Sequence, residues 1–238
     1  MLTAIKRQIL LQKGDWLAIA LISLGAGIFG CILFVVVSYF AGDAESIFPL
    51  GTILAAMTIC MFHAVVTAFA QFEIYFDLEV SMGSTRKQFL VSWLAAMFVA
   101  GLLDVLVISA FHCVENALAA AIYPQLEQEI NLIPYLLRYG PLAAAGLSIT
   151  SSFFGVLVMR FGKKIGWIVW GSIMIVSIGL PEFDEIQKSD SLFAEIVKGV
   201  VRFLQMIPMN IWIIGAVAAC IAMLLSAWML LRRQAVTL

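Results

Sequence analysis

Charged residues are scarce in this chain, and their scarcity excludes most soluble folds. Asp, Glu, Lys and Arg together make up 12% of its 238 residues, whereas apolar residues make up 63%. A typical soluble domain carries about 25% charged and about 45–50% apolar residues. A domain of this size in water could not bury so much apolar surface, but a lipid bilayer can surround it. The composition therefore predicts a membrane protein.

Reactive and metal-binding side chains are also few. The chain has two histidines, which are too few for a histidine-rich metal site. Its four cysteines are scattered without a CxxC pair, which favours buried free thiols over disulfides. The motifs GxxxxGK[ST], HExxH and GxSxG are absent from the sequence. We therefore expect no catalytic residues, no metal site and no nucleotide or other cofactor bound by this chain itself.

Long apolar stretches, in contrast, fill most of the sequence. About 20 apolar residues span a bilayer as a helix, and these stretches lack the alternation typical of a membrane β-strand. We predict an all-α membrane protein with six transmembrane helices in a single domain that covers residues 1–238. The predicted spans are 16–40, 49–74, 89–112, 134–159, 165–181 and 208–231.

The positions of Lys and Arg predict the orientation of these spans. Cytoplasmic loops of membrane proteins carry an excess of Lys and Arg. With the N-terminus inside, ten of the fourteen basic residues lie on the cytoplasmic side, and most acidic residues lie on the other. We therefore expect a multi-pass protein of the cell membrane with both termini in the cytoplasm.

Two segments outside the spans repeat apolar side chains with a helical period. Residues 2–13 predict a short helix that lies in the inner membrane interface, with a bend at Gly14 before the first span. A simple extension of the first span is the alternative. Residues 182–207 predict a short amphipathic helix on the outer side, between the fifth and sixth spans.

Two ionisable side chains fall deep inside the predicted spans. His63 lies near the middle of the second span, and Asp104 lies in the third. A polar group at this depth is costly unless it faces protein or water, so both residues are candidates for a translocation cavity. A hydrogen bond between helices is the structural alternative for each, and no salt bridge of Asp104 is evident from the sequence.

Small residues recur every four positions in two of the predicted spans. Such stripes allow helices to approach closely in lipid, and they favour packing within the bundle or dimerisation. The stripe of the fourth span is Gly140, Ala144, Ser148 and Ser152, and that of the sixth is Ala218, Ala222 and Ser226.

A polar segment of mixed charge, residues 77–89, separates the second and third spans. Its residues Ser81-Met82-Gly83-Ser84-Thr85-Arg86-Lys87-Gln88-Phe89 resemble the SMGx[ST]RKxF segment of bacterial ABC-2-type transporter permeases. The order of an N-terminal interfacial helix, six spans and this polar segment is also similar to that family. The resemblance implies a cytoplasmic coupling helix that docks in a groove of an ATPase subunit.

The resemblance also implies partners and a function. A permease of this family is the non-catalytic transmembrane subunit of an ATP-driven exporter and forms half of the translocation pathway. It pairs with a second permease chain, identical or related, and with two separate ATPase subunits that bind ATP and magnesium. No nucleic-acid partner is expected, and the substrate stays open. The residues expected to dock on the ATPase are Glu79, Gly83, Arg86 and Lys87, which offer a carboxylate acceptor, a close backbone approach and cationic donors.

The residues themselves leave other functions open. A secondary, proton-coupled transporter could use Asp104 and His63, although no inverted repeats are evident. A membrane immunity or scaffold protein would need neither residue, and an intramembrane enzyme would need convergent polar groups that the spans do not offer. An ATPase must act on a permease through a cytoplasmic surface. Segment 77–89 is the only predicted inner loop with enough length and mixed charge to provide one.

Overall fold

The chain folds as a bundle of long helices. The computed structural model describes residues 2–41, 46–47, 49–122, 127–128, 131–162, 164–168, 171 and 208–232. The helices are α1 (Leu2–Ala41), α2 (Leu50–Met61), a π-helical segment (Phe62–Gln71), α3 (Phe72–Ser81), α4 (Arg86–Ile122), α5 (Ile133–Phe161) and α6 (Met209–Arg232). Residues 164–168 are also helical. Two strands of two residues, β1 (Ser46–Ile47) and β2 (Glu127–Gln128), pair in parallel.

Four helices are long and apolar enough to cross a membrane, and they span Leu2–Val36, Arg86–Ala121, Ile133–Phe161 and Ile214–Arg232. The shorter α2 continues without a break through the π-helical segment into α3, because the junction residues Phe62 and Phe72 have helical backbone angles. This continuous run, residues 50–81, contains all but the first residue of the predicted second span, 49–74. The described part is therefore that of a helical, membrane-embedded protein.

Two sequence predictions fall beyond the described residues. Most of the predicted fifth span, 165–181, lies outside them, and so does the whole of the predicted outer helix within 182–207. The six-span count therefore stays a prediction, with four spans found as single long helices.

The predicted bend at Gly14 is absent, because α1 is one helix from its second residue to Ala41. Side-chain contacts hold the first turns of α1 against α3, and these contacts favour a straight continuation of the helix. The Arg7 guanidinium binds Glu79, and the Tyr75 hydroxyl donates a hydrogen bond to Asp15. The prediction of a separate interfacial helix was wrong, and the alternative of an extended first span fits the structure.

The small-residue stripe of the fourth span packs within the bundle. Gly140, Ala144, Ser148 and Ser152 of α5 are all buried. A Cβ atom added to Gly140 would lie 2.6 Å from Val105, and Ala144 Cβ lies 2.8 Å from the Cβ position of Gly101. Such close approach brings α5 directly against α4, as the spacing of small residues predicted. In α6, by contrast, Ala218 and Ala222 are exposed.

An aromatic cluster forms the core at the end of the bundle where α3 meets α4. The rings of Phe72, Phe89 and Trp93 meet edge to face or tilted, with the Phe72 and Trp93 centroids 4.9 Å apart. Such pairs contribute about 0.5–1.5 kcal/mol each beyond the area they bury. Val156 of α5 and Leu231 of α6 complete the cluster, so four helices meet at this end.

Replacing Gly155 should separate α5 from this aromatic cluster. A Cβ at Gly155 would lie 2.4 Å from the Phe72 ring, whereas a Cβ at Gly146 of the same helix meets nothing within 4 Å. Overpacking of a tight core typically costs about 1–3 kcal/mol. We expect Gly155→Ala to lower the thermal unfolding midpoint in detergent and Gly146→Ala to leave it unchanged or raise it slightly. Equal midpoints for the two variants would contradict this packing.

Candidate functional site

The segment that carries the family resemblance is a tight turn between two helices. α3 ends at Ser81, and Gly83 follows with a left-handed φ of 86°. The amide of Gly83 donates to the carbonyl of Val80 and that of Ser84 donates to the carbonyl of Glu79, both at 3.0 Å. This pair of hydrogen bonds is a Schellman motif, the usual glycine-dependent end of a helix. The separate coupling helix that the resemblance implies is therefore absent, because helix and turn already use these residues.

Thr85 and Gln88 form the N-terminal cap of α4. The Thr85 hydroxyl accepts a hydrogen bond from the Gln88 amide at 3.2 Å, and the Gln88 side chain accepts one from the Thr85 amide at 2.9 Å. This reciprocal pair is a capping box, with Thr85 as the N-cap of α4. Three residues of the motif, Gly83, Thr85 and Gln88, thus specify where α3 ends and α4 begins.

Glu79 lies beneath this turn and is fully buried. Its carboxylate accepts hydrogen bonds from Arg7 Nε at 2.9 Å and from Ser84 Oγ at 2.7 Å. A second guanidinium nitrogen of Arg7 contacts both Glu79 and Ser84. We refer to Arg7, Glu79 and Ser84 as the inner anchor. It ties the N-terminal part of α1 to the turn.

The four residues predicted to dock on an ATPase differ in their exposure and in the contacts that they already make. Gly83 and Lys87 are exposed at the turn, and Arg86 is half-buried. Arg86 donates a hydrogen bond of 2.8 Å to the carbonyl of Arg232, at the end of α6. Glu79 is occupied by the inner anchor, so direct docking by its carboxylate does not fit this structure. Docking by the other three stays a prediction.

Loss of the Arg7 side chain should destabilise the fold, because it leaves the buried Glu79 carboxylate without its counter-charge. Breaking a buried ion pair from one side costs about 3–5 kcal/mol, and we expect the lower part of that range since a third of the Arg7 side chain is exposed. Thermal unfolding of Arg7→Ala in detergent measures the effect, with the exposed neighbour in Lys6→Ala as the control. Replacing both partners, as in Arg7→Met with Glu79→Leu, should restore most of the loss. Equal midpoints for Arg7→Ala and Lys6→Ala would refute the anchor.

His63 and Asp104, the two residues predicted for a translocation cavity, lie in contact. His63 Nε2 is 2.7 Å from Asp104 Oδ2, and the exposed fractions of the two side chains are 1% and 10%. The contact is an ion pair whenever His63 is protonated, and its geometry does not meet the criteria for a hydrogen bond. This pairing could not be predicted from the sequence, because the two residues are far apart in the chain and His63 carries a charge only when protonated.

The π-helical segment places His63 in this pair. His63 is its second residue, and each π-helical turn holds more residues than an α-helical turn. π-Helical turns are rare and occur often at functional sites. A sequence search for amphipathic periodicity cannot find such a turn, because it assumes 3.6 residues per turn throughout.

A third buried carboxylate, that of Glu115, lies near the other end of α4. Glu115 Oε1 accepts a hydrogen bond from the amide of Gly51 at 2.8 Å, and Oε2 accepts one from the amide of Thr52 at 2.9 Å. Pro49, the N-cap residue of α2, offers no side-chain cap. Glu115 therefore caps α2 from a neighbouring helix, where a negative charge is favourable. We refer to Glu115, Thr52 and His112 as the outer anchor.

The hydrogen bonds of the outer anchor define the state of His112. Its Nε2 accepts from the amide of Leu132 at 3.1 Å, so this nitrogen carries no proton. Its Nδ1 lies 3.1 Å from Thr52 Oγ, and the Thr52 hydroxyl donates to Glu115. Since that hydrogen is already used, Nδ1 must donate to Thr52. His112 is thus a neutral imidazole in a complete chain of hydrogen bonds.

The outer anchor was not predicted from the sequence. His112 ends the predicted third span, and Glu115 follows it three residues later. Their spacing of three on one helix face was the available signal. In the described part of the chain, no three His, Cys, Asp or Glu side chains form a group that could hold a metal ion.

A scan against protein-family models, a search of curated proteins and a search of solved structures each found no match to this chain.

Proposed function

We propose that the chain is the permease subunit of an ATP-driven exporter of the ABC type, embedded in the cell membrane with both termini in the cytoplasm. It forms half of the translocation pathway with a second permease chain, and separate ATPase subunits supply ATP hydrolysis. The turn at residues 82–85, together with Lys87, is the docking surface for the ATPase.

The observation that carries this proposal is the way the exposed turn is fastened to the bundle. On one side the inner anchor joins it to α1 through Arg7. On the other side Arg86, the first residue of α4, binds the last turn of α6. A protein that moves the turn must therefore move the ends of α1 and α6 as well. Transport needs such a link, because a permease without a nucleotide site changes state only through differential contacts with its partner.

The surface chemistry of the turn is suited to docking. Lys87 is exposed and presents a flexible cation, and a Cβ at Gly83 would meet nothing within 4 Å. A partner backbone can thus approach Gly83 closely. Lys87, rather than the buried Glu79, makes the charged contact with the ATPase. Glu79 instead holds the turn against α1 through Arg7.

Reversing the charge of Lys87 should uncouple the chain from its ATPase. The tagged chain is purified from its host membranes in mild detergent, co-purifying chains with nucleotide-binding motifs are identified by mass spectrometry, and ATP turnover is measured per permease. We expect Lys87→Glu to reduce co-purification and turnover by about tenfold or more, since each 1.4 kcal/mol of lost contact is tenfold in affinity. Lys164→Glu is the matched control, because Lys164 is an exposed lysine in the other predicted inner loop.

Gly83→Asn tests the surface without breaking the turn, because Asn tolerates a left-handed φ whereas most other side chains do not. It should fold normally and still weaken ATPase binding. Absence of any co-purifying ATPase, or wild-type turnover in both Lys87→Glu and Gly83→Asn, would refute the proposed function.

A further inference from the structure

The His63–Asp104 contact has a consequence that does not depend on ATP-driven transport. The two residues meet midway along α4, within the stretch Arg86–Ala121 that is apolar enough to cross a membrane. Both side chains are nearly fully buried, and His63 Nδ1 has no hydrogen-bond partner among the described residues. An ionised group in such surroundings is stable only when an opposite charge neutralises it.

We propose that His63 and Asp104 together form a proton-binding site in the membrane-embedded core. The proton resides on His63, which makes an imidazolium beside the Asp104 carboxylate, and the pair is neutral as a unit. Of the two side chains, imidazole is ordinarily the stronger base, and the carboxylate at 2.7 Å stabilises the charge that it gains.

No other titratable group among the described residues near the pair supplies a positive charge that could neutralise the Asp104 carboxylate. On α2, Cys60 lies within electrostatic reach of Asp104 and is a thiol. α1 carries no Asp, Glu, Lys, Arg or His from residue 16 to its end at Ala41. On α4, His112 and Glu115 belong to the outer anchor, and the charged residues of α5, Arg138 and Arg160, are exposed. Among the described residues, His63 is therefore the counter-charge of Asp104.

The π-helical segment links this proton to the shape of the bundle. Conversion of the segment to regular α-helix would rotate the residues at one of its ends relative to those at the other, and would thereby change how His63 faces Asp104. Separation of the charged pair would strand two ions in apolar surroundings. If the proton first moves from His63 Nε2 to the Asp104 carboxylate, both groups become neutral and the pair can part. The bundle thus has two arrangements. In one the proton is on His63 and the pair is in contact, and in the other the proton is on Asp104 and the pair is separated.

The two histidines of the chain make a direct test possible. The full-length protein, labelled with [¹⁵N]histidine and reconstituted in lipid nanodiscs, should show only two imidazoles in its nitrogen NMR spectrum. His112→Gln assigns them. At pH 7 we expect His63 to be an imidazolium in the wild type and at least tenfold less charged in Asp104→Asn, because the variant removes the carboxylate that neutralises the imidazolium. Asp104→Glu should retain the imidazolium.

His112 serves as the internal reference, since the outer anchor keeps it neutral with its proton on Nδ1 in the wild type and in both Asp104 variants. A neutral His63 in the wild type at pH 7 would overturn the proposal, and so would an imidazolium that persists in Asp104→Asn. A His63 that stays charged up to pH 10 would make the pair a permanent salt bridge and would also overturn it. Should Asp104→Asn fail to fold, the wild-type pH series and Asp104→Glu still decide between these outcomes.

Discussion

In a bilayer, a buried polar side chain can be stabilised only by other parts of the protein, and this constraint explains where the charged contacts of the chain lie. The inner anchor neutralises Glu79 through Arg7, and the outer anchor satisfies Glu115 with amides at the start of α2. Between them, Asp104 meets His63. Each contact joins helices that are distant in sequence. The apolar residues make the helices insert, and these few polar contacts determine how the helices are paired.

Residues 81–89 combine structural and exposed roles in one short motif. Gly83 ends α3, and Thr85 with Gln88 begins α4, so these three residue types are explained by the local backbone alone. Lys87 has no such local role, because it is exposed and no hydrogen bond or ion pair joins it to the part of the chain that the structure describes. Part of the resemblance to the permease motif therefore reflects only residues that end one helix and begin the next. The proposal of ATPase docking depends on the remainder, which is the exposed lysine and the attachment of the turn to α1 and α6.

The apolar stretches were sufficient to predict the long helices, and the four-residue spacing of small side chains correctly predicted that α5 packs closely. The helix ends at residues 81–86 could also have been predicted, because a Schellman glycine followed by a Thr-x-x-Gln capping box is visible in the sequence. The partners of Glu79, Asp104 and Glu115 could not, since each lies on another helix and pairing depends on how the helices rotate in the bundle. The π-helical segment alters that rotation in the middle of the second span, which no periodicity of 3.6 residues reveals. The uninterrupted α1 was only the alternative prediction for a related reason, because its contacts with α3 cannot be seen in the sequence.

The central claim is that the turn at residues 82–85 faces the cytoplasm, where ATP is available, while the connection between α4 and α5 faces the other side. Fusion of reporters to truncated chains ending after Ser84 and after Asn131 tests this directly, with one reporter active only inside the cell and one active only outside. The account predicts that the Ser84 fusion is active with the cytoplasmic reporter alone and that the Asn131 fusion is active with the external reporter alone. The opposite pattern would place the turn and Lys87 out of reach of any ATPase and would contradict the account.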